Sequence, residues 1–383
     1  MSASPGADWQ PDHLLDRYEV LTLPLGPDPD GEDPVTATLV RKAGTGAGSV
    51  ASGPNVTGAG SVASGPNQNG AGSGRSGAVL YVHGFTDYFF HEPLAEFFHD
   101  RGYEFYALDL RKCGRSLQPH HTAHFTTDLR QYDEELGRAL DVVIEETTAA
   151  GGPAEVVVAA HSTGGLITPL WLDRLRERSP HRHAHVTGLL LNSPWFDLQG
   201  SPVLRSLPVS AVLRAAAAAR PKSVVPQKLS EGYGRSIHES TGGEWAYDLT
   251  LKPMGGFPVS FGFLQAVRAG HARLHRGIDV GVPALVLRSD KTIFDRSTPS
   301  SVDDSDVVLD VAHIARWSGN LGNRVTVSPI TDARHDVFLS VERARAQAYR
   351  EVDGWLSGIR RTAGGSTFAP HSHTTESTTG DRA

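Results

Sequence analysis

The sequence is poor in cysteine and has no long apolar run. Its 383 residues contain one cysteine, Cys113, which excludes an intramolecular disulfide and a cysteine-based zinc site. The longer apolar runs, such as residues 209–219 with Arg214 inside, fall far short of the ~20 residues that span a bilayer. Residues 1–10 lack the basic and apolar regions of a signal peptide. We therefore expect a cytoplasmic protein with no transmembrane segment.

Positive charge is also scarce. The chain has 36 Lys+Arg against 43 Asp+Glu, which gives a formal net charge of −7. Nucleic-acid-binding proteins usually carry a strong basic patch, so we expect no nucleic-acid partner. Hydrophobic residues make up 39% of the sequence, which is enough for a sizeable core.

Two segments have the composition of unfolded chain. The decapeptide GAGSVASGPN occurs at residues 46–55 and again at 58–67, and a partial third copy spans 70–74. Stacking such repeats would bury almost no apolar surface, because each unit holds one valine and no larger apolar residue. We therefore expect residues 44–76 to form a disordered loop. Residues 361–383 are rich in Ser, Thr, Gly and His, and we expect a disordered tail there.

Between these segments the apolar pattern alternates between strands and helices. Strand-like runs lie at residues 18–23, 35–41, 78–83, 104–108, 155–160, 186–192, 282–288 and 324–330. Helical stretches lie at residues 92–100, 129–147, 165–178 and 341–356. This alternation predicts an α/β fold with a doubly wound, mostly parallel sheet.

The domain organisation follows from that pattern. Residues 1–43 supply N-terminal strands, and residues 77–193 and 280–360 supply the two parts of the core. Residues 194–279 separate two sheet strands by far more than one helix needs and are rich in aromatic residues. We predict that they form a helical cap over the carboxyl ends of the strands, where the active sites of such sheets lie.

The strongest functional signal is the sequence Ala160-His161-Ser162-Thr163-Gly164. It directly follows a buried strand and directly precedes a helix. A tight turn in this context pushes a serine hydroxyl out of the sheet, where a histidine can activate it. Ser162 is therefore the candidate nucleophile, although Ala160 replaces the first glycine of G-x-S-x-G. The alternative is an ordinary helix N-cap serine.

A second signal, His83-Gly84-Phe85-Thr86, ends the strand at 78–83. Acyl transfer needs backbone N–H donors aimed at the developing oxyanion. We predict that the amides of Phe85 and Thr163 supply them, with His83, Gly84, His161 and Gly164 in supporting places. A plain strand-to-loop turn is the alternative.

These residues resemble the α/β-hydrolase superfamily, in particular its monoacylglycerol lipase, lysophospholipase and serine aminopeptidase (S33)-like branch. Residues 80–117 and 156–167 carry the likeness, which extends over about 78–358. The resemblance implies an α/β-hydrolase fold, a Ser-Asp-His triad and an ester or amide substrate.

The triad base and acid are sought in the chain order of the superfamily. His335 follows the last predicted strand and is the candidate base. Asp306 precedes a predicted helix at 311–317 in a pattern similar to that of the family, and it is the favoured acid. Asp290 directly follows the strand at 282–288 and is the alternative acid.

The other histidine clusters predict no metal site. His181, His183 and His185 alternate beside an arginine, and His120, His121 and His124 follow a loop; we expect both groups to be exposed to solvent. No cofactor is required by a serine mechanism.

Three functions remain open. The first is a serine hydrolase that cleaves a small-molecule carboxylic ester through an acyl-enzyme. The second is an aminopeptidase-type amide hydrolase, which needs a cap carboxylate for the substrate ammonium; Glu231, Glu239 and Glu244 are candidates. The third is a catalytically silent binding protein on the same fold.

Overall fold

A computed structural model describes residues 7–44, 77–199, 207–226, 230–294 and 300–364. Residues 45–76 of the predicted Gly/Ser loop and residues 365–383 of the predicted tail lie outside these residues. The last helix ends at Gly364, so residues 361–364 are helical and not part of a disordered tail. The helix continues there because residues 361–363 include no helix breaker.

The described residues form one sheet of nine strands. The strands are β1 (Gln10–Pro11), β2 (Tyr18–Pro24), β3 (Thr36–Lys42), β4 (Gly77–Val82), β5 (Tyr103–Asp109), β6 (Val156–His161), β7 (Val186–Asn192), β8 (Ala284–Ser289) and β9 (Val325–Ile330). Their order is β1-β2-β3-β5-β4-β6-β7-β8-β9. The strands β1, β2 and β3 run antiparallel to their neighbours, and β4 to β9 are parallel throughout.

Helices follow most of the strands. They are α1 (Glu92–His99), α2 (Asp133–Ala149), α3 (Gly164–Arg178), α4 (Pro180–His183), α5 (Leu207–Ala219), α6 (Gly232–Ile237), α7 (Phe261–Leu274), α8 (Ser300–Asp303), α9 (Val311–Ser318) and α10 (Glu342–Gly364). The mostly parallel sheet and its flanking helices confirm the predicted α/β class. In the ranges given above, no helix is long and apolar enough to cross a membrane.

The hydrophobic core lies on both faces of the sheet. Leu136 and Leu140 of α2 pack on one face together with α3. Leu94 of α1 and Leu356 of α10 pack on the other face. Every residue of β4, β5 and β6 is buried, because helices cover both sides of these central strands.

The topology places a crevice above β4 and β6. The strands β5 and β6 lie on opposite sides of β4, so the direction of the strand order reverses at β4. Ligands bind at such switch points, outside the carboxyl ends of the strands. The helices α5, α6 and α7 all belong to the long segment between β7 and β8, where we predicted the cap.

Candidate functional site

Ser162 stands on a sharp turn between β6 and α3. Its φ of 51° is in the left-handed region, which is uncommon for a residue with a side chain. Glycine is required two residues later, because a Cβ on Gly164 would lie 2.4 Å from the carbonyl oxygen of His83. A Cβ on Gly165 would lie 2.6 Å from the Cβ of Pro194. The segments that directly follow β4 and β7 approach this turn closely, which explains why Gly164 and Gly165 are both glycine.

His335 and Asp306 form a hydrogen-bonded line with Ser162. His335 Nε2 lies 3.0 Å from Ser162 Oγ, and His335 Nδ1 lies 3.0 Å from Asp306 Oδ2. Asp306 is fully buried, and its Oδ1 accepts hydrogen bonds of 2.8 Å from the amides of Val308 and Leu309. With this carboxylate as acceptor, the Nδ1 of His335 carries the proton and its Nε2 is free to accept one from Ser162.

Asp290, the alternative acid, lies elsewhere. It is exposed at the end of β8, and its Oδ1 accepts a 3.0 Å hydrogen bond from the amide of Asp332. Its carboxylate stabilises the turn that follows β9. The structure therefore brings Asp306 to His335 and leaves Asp290 outside the site.

The loop after β4 lies against the turn at Ser162. A Cβ on Gly84 would come within 2.9 Å of Ser162 Cβ, so only glycine allows this approach. Phe85 and Thr163 both line the pocket that contains Ser162, and no described residue accepts a hydrogen bond from either amide. The amide of Leu110 donates to His83 Nε2 at 3.1 Å, which leaves the His83 Nδ1–H to donate to the Gly84 carbonyl at 2.7 Å.

The end of β7 supports both the turn at Ser162 and the loop that carries His335. The amide of Ser162 donates to the carbonyl of Asn192 at 3.0 Å. The side chain of Asn192 donates to Asp336 Oδ1 at 2.6 Å and accepts from the amide of Val337 at 3.1 Å. One buried asparagine therefore connects the turn at Ser162 to the loop that carries His335.

Charged residues that the sequence analysis did not identify surround His161. Its Nδ1 lies 3.2 Å from Asp87 Oδ2 and 3.8 Å from Asp336 Oδ2, and its ring centroid is 4.9 Å from that of His335. Lys252, from the cap, lies 2.7 Å from Asp87 Oδ1. No motif or periodicity marks Asp87 or Lys252, because their pairing joins segments 165 positions apart in the chain.

The carboxylates of Asp87 and Asp336 remain charged although they are buried. Burial by itself raises the pKa of Asp87, but Lys252 and His161 outweigh it and hold that pKa well below its usual range. The pKa of Asp336 is also lowered, since His161, His91 and the hydrogen bond from Asn192 outweigh its burial.

Two of the six histidines predicted to be exposed are buried. His183 is buried, and its Nε2 lies 2.8 Å from the carbonyl oxygen of Val280. His124 packs against the loop after β4, with its ring centroid 5.1 Å from that of Phe85. Burial holds the pKa of His124 well below its usual range, so this histidine is neutral. In the part of the chain that the structure describes, no cluster of three or more His, Cys, Asp or Glu could hold a metal ion.

A pocket with a volume of about 230 Å³ opens at Ser162. The ring of Tyr233 stands edge-on to His335 at a centroid distance of 5.7 Å. Aromatic and aliphatic side chains supply most of the wall: Phe85, Trp195, Tyr233, Tyr247, Met254, Phe257, Val259, Val307, Val308 and Leu309. Lys252 is the one basic side chain other than histidine among the described lining residues, and none of them carries a carboxylate.

The three glutamates considered for an aminopeptidase lie away from this pocket. Glu231, Glu239 and Glu244 are exposed. Glu231 lies 3.8 Å from Arg235, and Glu244 lies 2.7 Å from Arg345. They do not line the pocket.

Comparisons with solved structures support the fold. The chain is similar to a soluble variant of monoglyceride lipase from Saccharomyces cerevisiae solved with a substrate analog (TM-score 0.54, 16% identity, 94% of this chain and 96% of the other). It is also similar to a monoacylglycerol lipase from Paleococcus ferrophilus (TM-score 0.52, 16% identity, 75% and 96%). A lipase in its open form gives a TM-score of 0.51 at 17% identity, with 89% and 99% covered. At these identities the likeness shows the fold alone.

Sequence comparison identifies the family. No curated protein matches the chain significantly. The family model for serine aminopeptidase, S33, matches residues 74–291, which is more than half of the chain and includes Ser162. The matched region ends before Asp306 and His335, so their assignment depends on the geometry given above. The chain is an α/β-hydrolase enzyme and belongs to the serine aminopeptidase, S33 family.

Proposed function

We propose that the protein is a serine hydrolase that cleaves carboxylic esters with an apolar acyl group. The observation that carries this proposal is the line of two 3.0 Å contacts from Ser162 through His335 to buried Asp306, at the wall of a mainly apolar pocket. Ser162 is the nucleophile, His335 the general base and Asp306 the acid. The reaction needs no metal or organic cofactor.

The acylation step uses the existing hydrogen bonds. As Ser162 Oγ attacks the ester carbonyl carbon, its proton passes to His335 Nε2 along the 3.0 Å contact. Asp306 stabilises the resulting imidazolium through Nδ1. The amides of Phe85 and Thr163 stabilise the negative charge that develops on the carbonyl oxygen; removing one such donor typically costs ~10²–10³ in rate.

The intermediate then collapses and water completes the turnover. The bond between the acyl carbon and the alcohol oxygen breaks, and His335 Nε2 gives its proton to the departing alcohol. A water molecule loses a proton to the same nitrogen and attacks the acyl-enzyme at the carbonyl carbon. Ser162 recovers its proton as the carboxylic acid leaves.

The charge of the pocket favours an ester over a peptide N-terminus. An aminopeptidase must hold a substrate ammonium, and a carboxylate is the usual partner for that group. The described lining residues offer no carboxylate for that group. Because Lys252 is paired with Asp87, the pocket fits an uncharged ester best.

A substrate panel tests this proposal. We expect the purified protein to hydrolyse p-nitrophenyl esters of two to ten acyl carbons, with turnover lost in Ser162→Ala, and to cleave aminoacyl p-nitroanilides far more slowly. Faster cleavage of the anilides would favour the aminopeptidase function. Absence of turnover by folded protein would favour the silent binding protein.

A further inference from the structure

The cap contacts the oxyanion loop, defined here as residues 84–87, at several points. Thr86 has a φ of 53°, a left-handed conformation that a β-branched residue rarely adopts. Its Oγ1 accepts a 2.9 Å hydrogen bond from the amide of Phe257 in the cap. Gly256 lies directly over it, since a Cβ on that glycine would be 3.3 Å from Thr86 Oγ1. An unfavourable backbone conformation beside the proposed oxyanion donor Phe85 is thus held by contacts from the cap.

Lys252 makes the central contact between the cap and this loop. Its Nζ lies 2.7 Å from Asp87 Oδ1 and 3.5 Å from the carbonyl oxygen of Thr86. The side chain of Lys252 is only 8% exposed, and that of Asp87 is 2% exposed. Its ammonium also lies 5.6 Å from the ring centroid of Phe90 and 5.8 Å from that of Tyr247. A lysine so enclosed has little freedom to move away from the loop.

Asp87 extends the connection to the nucleophile turn. While Oδ1 accepts from Lys252, Oδ2 lies 3.2 Å from Nδ1 of His161, the residue before Ser162. The three side chains therefore link the cap, the oxyanion loop and the end of β6. Removing the ammonium leaves the carboxylate of Asp87 buried with one partner fewer, which favours a movement of the loop toward water.

We propose that Lys252 is a positioning residue that holds the oxyanion loop against the turn at Ser162, so that the cap sets the geometry of the oxyanion hole. This inference rests on the proposed ester hydrolysis for its kinetic consequence, but not for its structural one. A displaced donor weakens binding of the oxyanion more than binding of the ground-state ester. Removal of Lys252 should therefore lower kcat and leave KM nearly unchanged.

The test compares Lys252→Met with the matched control Lys222→Met. Lys222 is another cap lysine, and it forms a 2.7 Å ion pair with Glu32 of the core outside the pocket. Hydrogen–deuterium exchange of the peptide covering residues 84–90 is measured in both variants of the full chain. We expect faster exchange in Lys252→Met and unchanged exchange in Lys222→Met. Equal exchange in the wild type and Lys252→Met overturns the proposal.

Kinetics on an uncharged p-nitrophenyl ester give the second readout. We expect the kcat of Lys252→Met to fall about 10- to 100-fold, which is less than the fall in rate that follows complete removal of an oxyanion donor. KM should change less than about threefold. Lys222→Met keeps both constants. A rise in KM with kcat retained would make Lys252 a substrate-binding residue and overturn the positioning role. Faster exchange with kcat unchanged would overturn it as well.

Two further variants keep the test decisive if Lys252→Met does not fold. Lys252→Arg retains the positive charge but not the geometry of the ammonium, so its kcat should fall less than about 10-fold and exchange of residues 84–90 should be slightly faster than in the wild type. Thr86→Val removes the acceptor for Phe257 without changing side-chain shape, and should also speed exchange of residues 84–90. If neither variant changes the exchange, the inference is wrong. If the wild type hydrolyses no ester, the proposed function fails, and the exchange data still decide whether Lys252 holds the loop.

Discussion

Replacing Asp306 by asparagine should abolish almost all activity while preserving the fold. In the wild type, Oδ1 of Asp306 accepts two amide hydrogen bonds and Oδ2 faces His335 Nδ1. An asparagine at this position must place its oxygen toward the two amides, because an NH₂ group cannot accept from them. Its NH₂ group then faces His335 and donates to Nδ1.

The predicted magnitude follows from the tautomer that this arrangement selects. With Nδ1 as acceptor, the proton of neutral His335 lies on Nε2 and points at Ser162, so the histidine cannot accept the serine proton. A wrong tautomer in a Ser-His-Asp triad lowers kcat by about 10⁴. The matched variant Asp290→Asn keeps the acceptor oxygen for Asp332 and is exposed, so its activity should stay within about twofold.

The assay is hydrolysis of a p-nitrophenyl ester, with circular dichroism and thermal unfolding as controls for folding. Both variants should unfold cooperatively near the wild-type temperature. If Asp306→Asn keeps more than about a tenth of the wild-type kcat, the tautomer argument is refuted, since about 10⁴ is expected. If Asp290→Asn loses more activity than Asp306→Asn, the acid has been assigned to the wrong residue.

Further changes test the turn, the pocket and the ion pairs. Gly164→Ala should lower both kcat and the unfolding temperature, since its Cβ would lie 2.4 Å from a backbone oxygen. By contrast, replacing the exposed Gly354 of α10 by alanine should raise the free energy of unfolding by about 0.5–1 kcal/mol. Differential scanning calorimetry separates these outcomes. Val259→Trp should shorten the longest acyl chain that is hydrolysed and spare acetate esters, and an unchanged chain-length profile would place the acyl group elsewhere. Burial by itself raises the pKa of Glu32, but the hydrogen bond from Lys222 and others lower it to about 2 from 4.5. Because this folded-state pKa is depressed, the stabilisation from Glu32 is present above pH 4.5 and lost as the pH falls toward 2. Glu32→Gln should therefore flatten the decline in unfolding free energy across that interval, measured by urea denaturation.

Local sequence patterns predict the central fold well. The strands β4 and β6 are continuous apolar runs, and the turn chemistry after β6 identifies Ser162 as the candidate nucleophile. Each of these signals lies within about ten consecutive residues. The two-residue strand β1 has no periodicity to detect. The helix α10 extends past its predicted end at residue 356 because the single Gly358 inside it costs only about 1 kcal/mol and does not terminate a helix.

Long-range pairing limits what the sequence can predict about the site. The residues alone do not separate Asp306 from Asp290 without a family pattern, because both aspartates follow the same strand and only the folded chain brings one to His335. Lys252 and Asp87 carry no local signal, since each looks like an ordinary polar residue until the cap lies over the sheet. His124 is likewise indistinguishable from its exposed neighbours before the chain folds around it.

The proposed function depends on activation of Ser162 by His335. Intact-mass analysis after treatment with a fluorophosphonate, followed by peptide mapping, tests this activation without any assumption about the substrate. We expect one adduct per wild-type chain, located on Ser162, with no adduct in Ser162→Ala and much slower labelling in His335→Ala. A folded wild type that gains no adduct, or a Ser162→Ala variant that still gains one, would show that Ser162 is not the activated nucleophile.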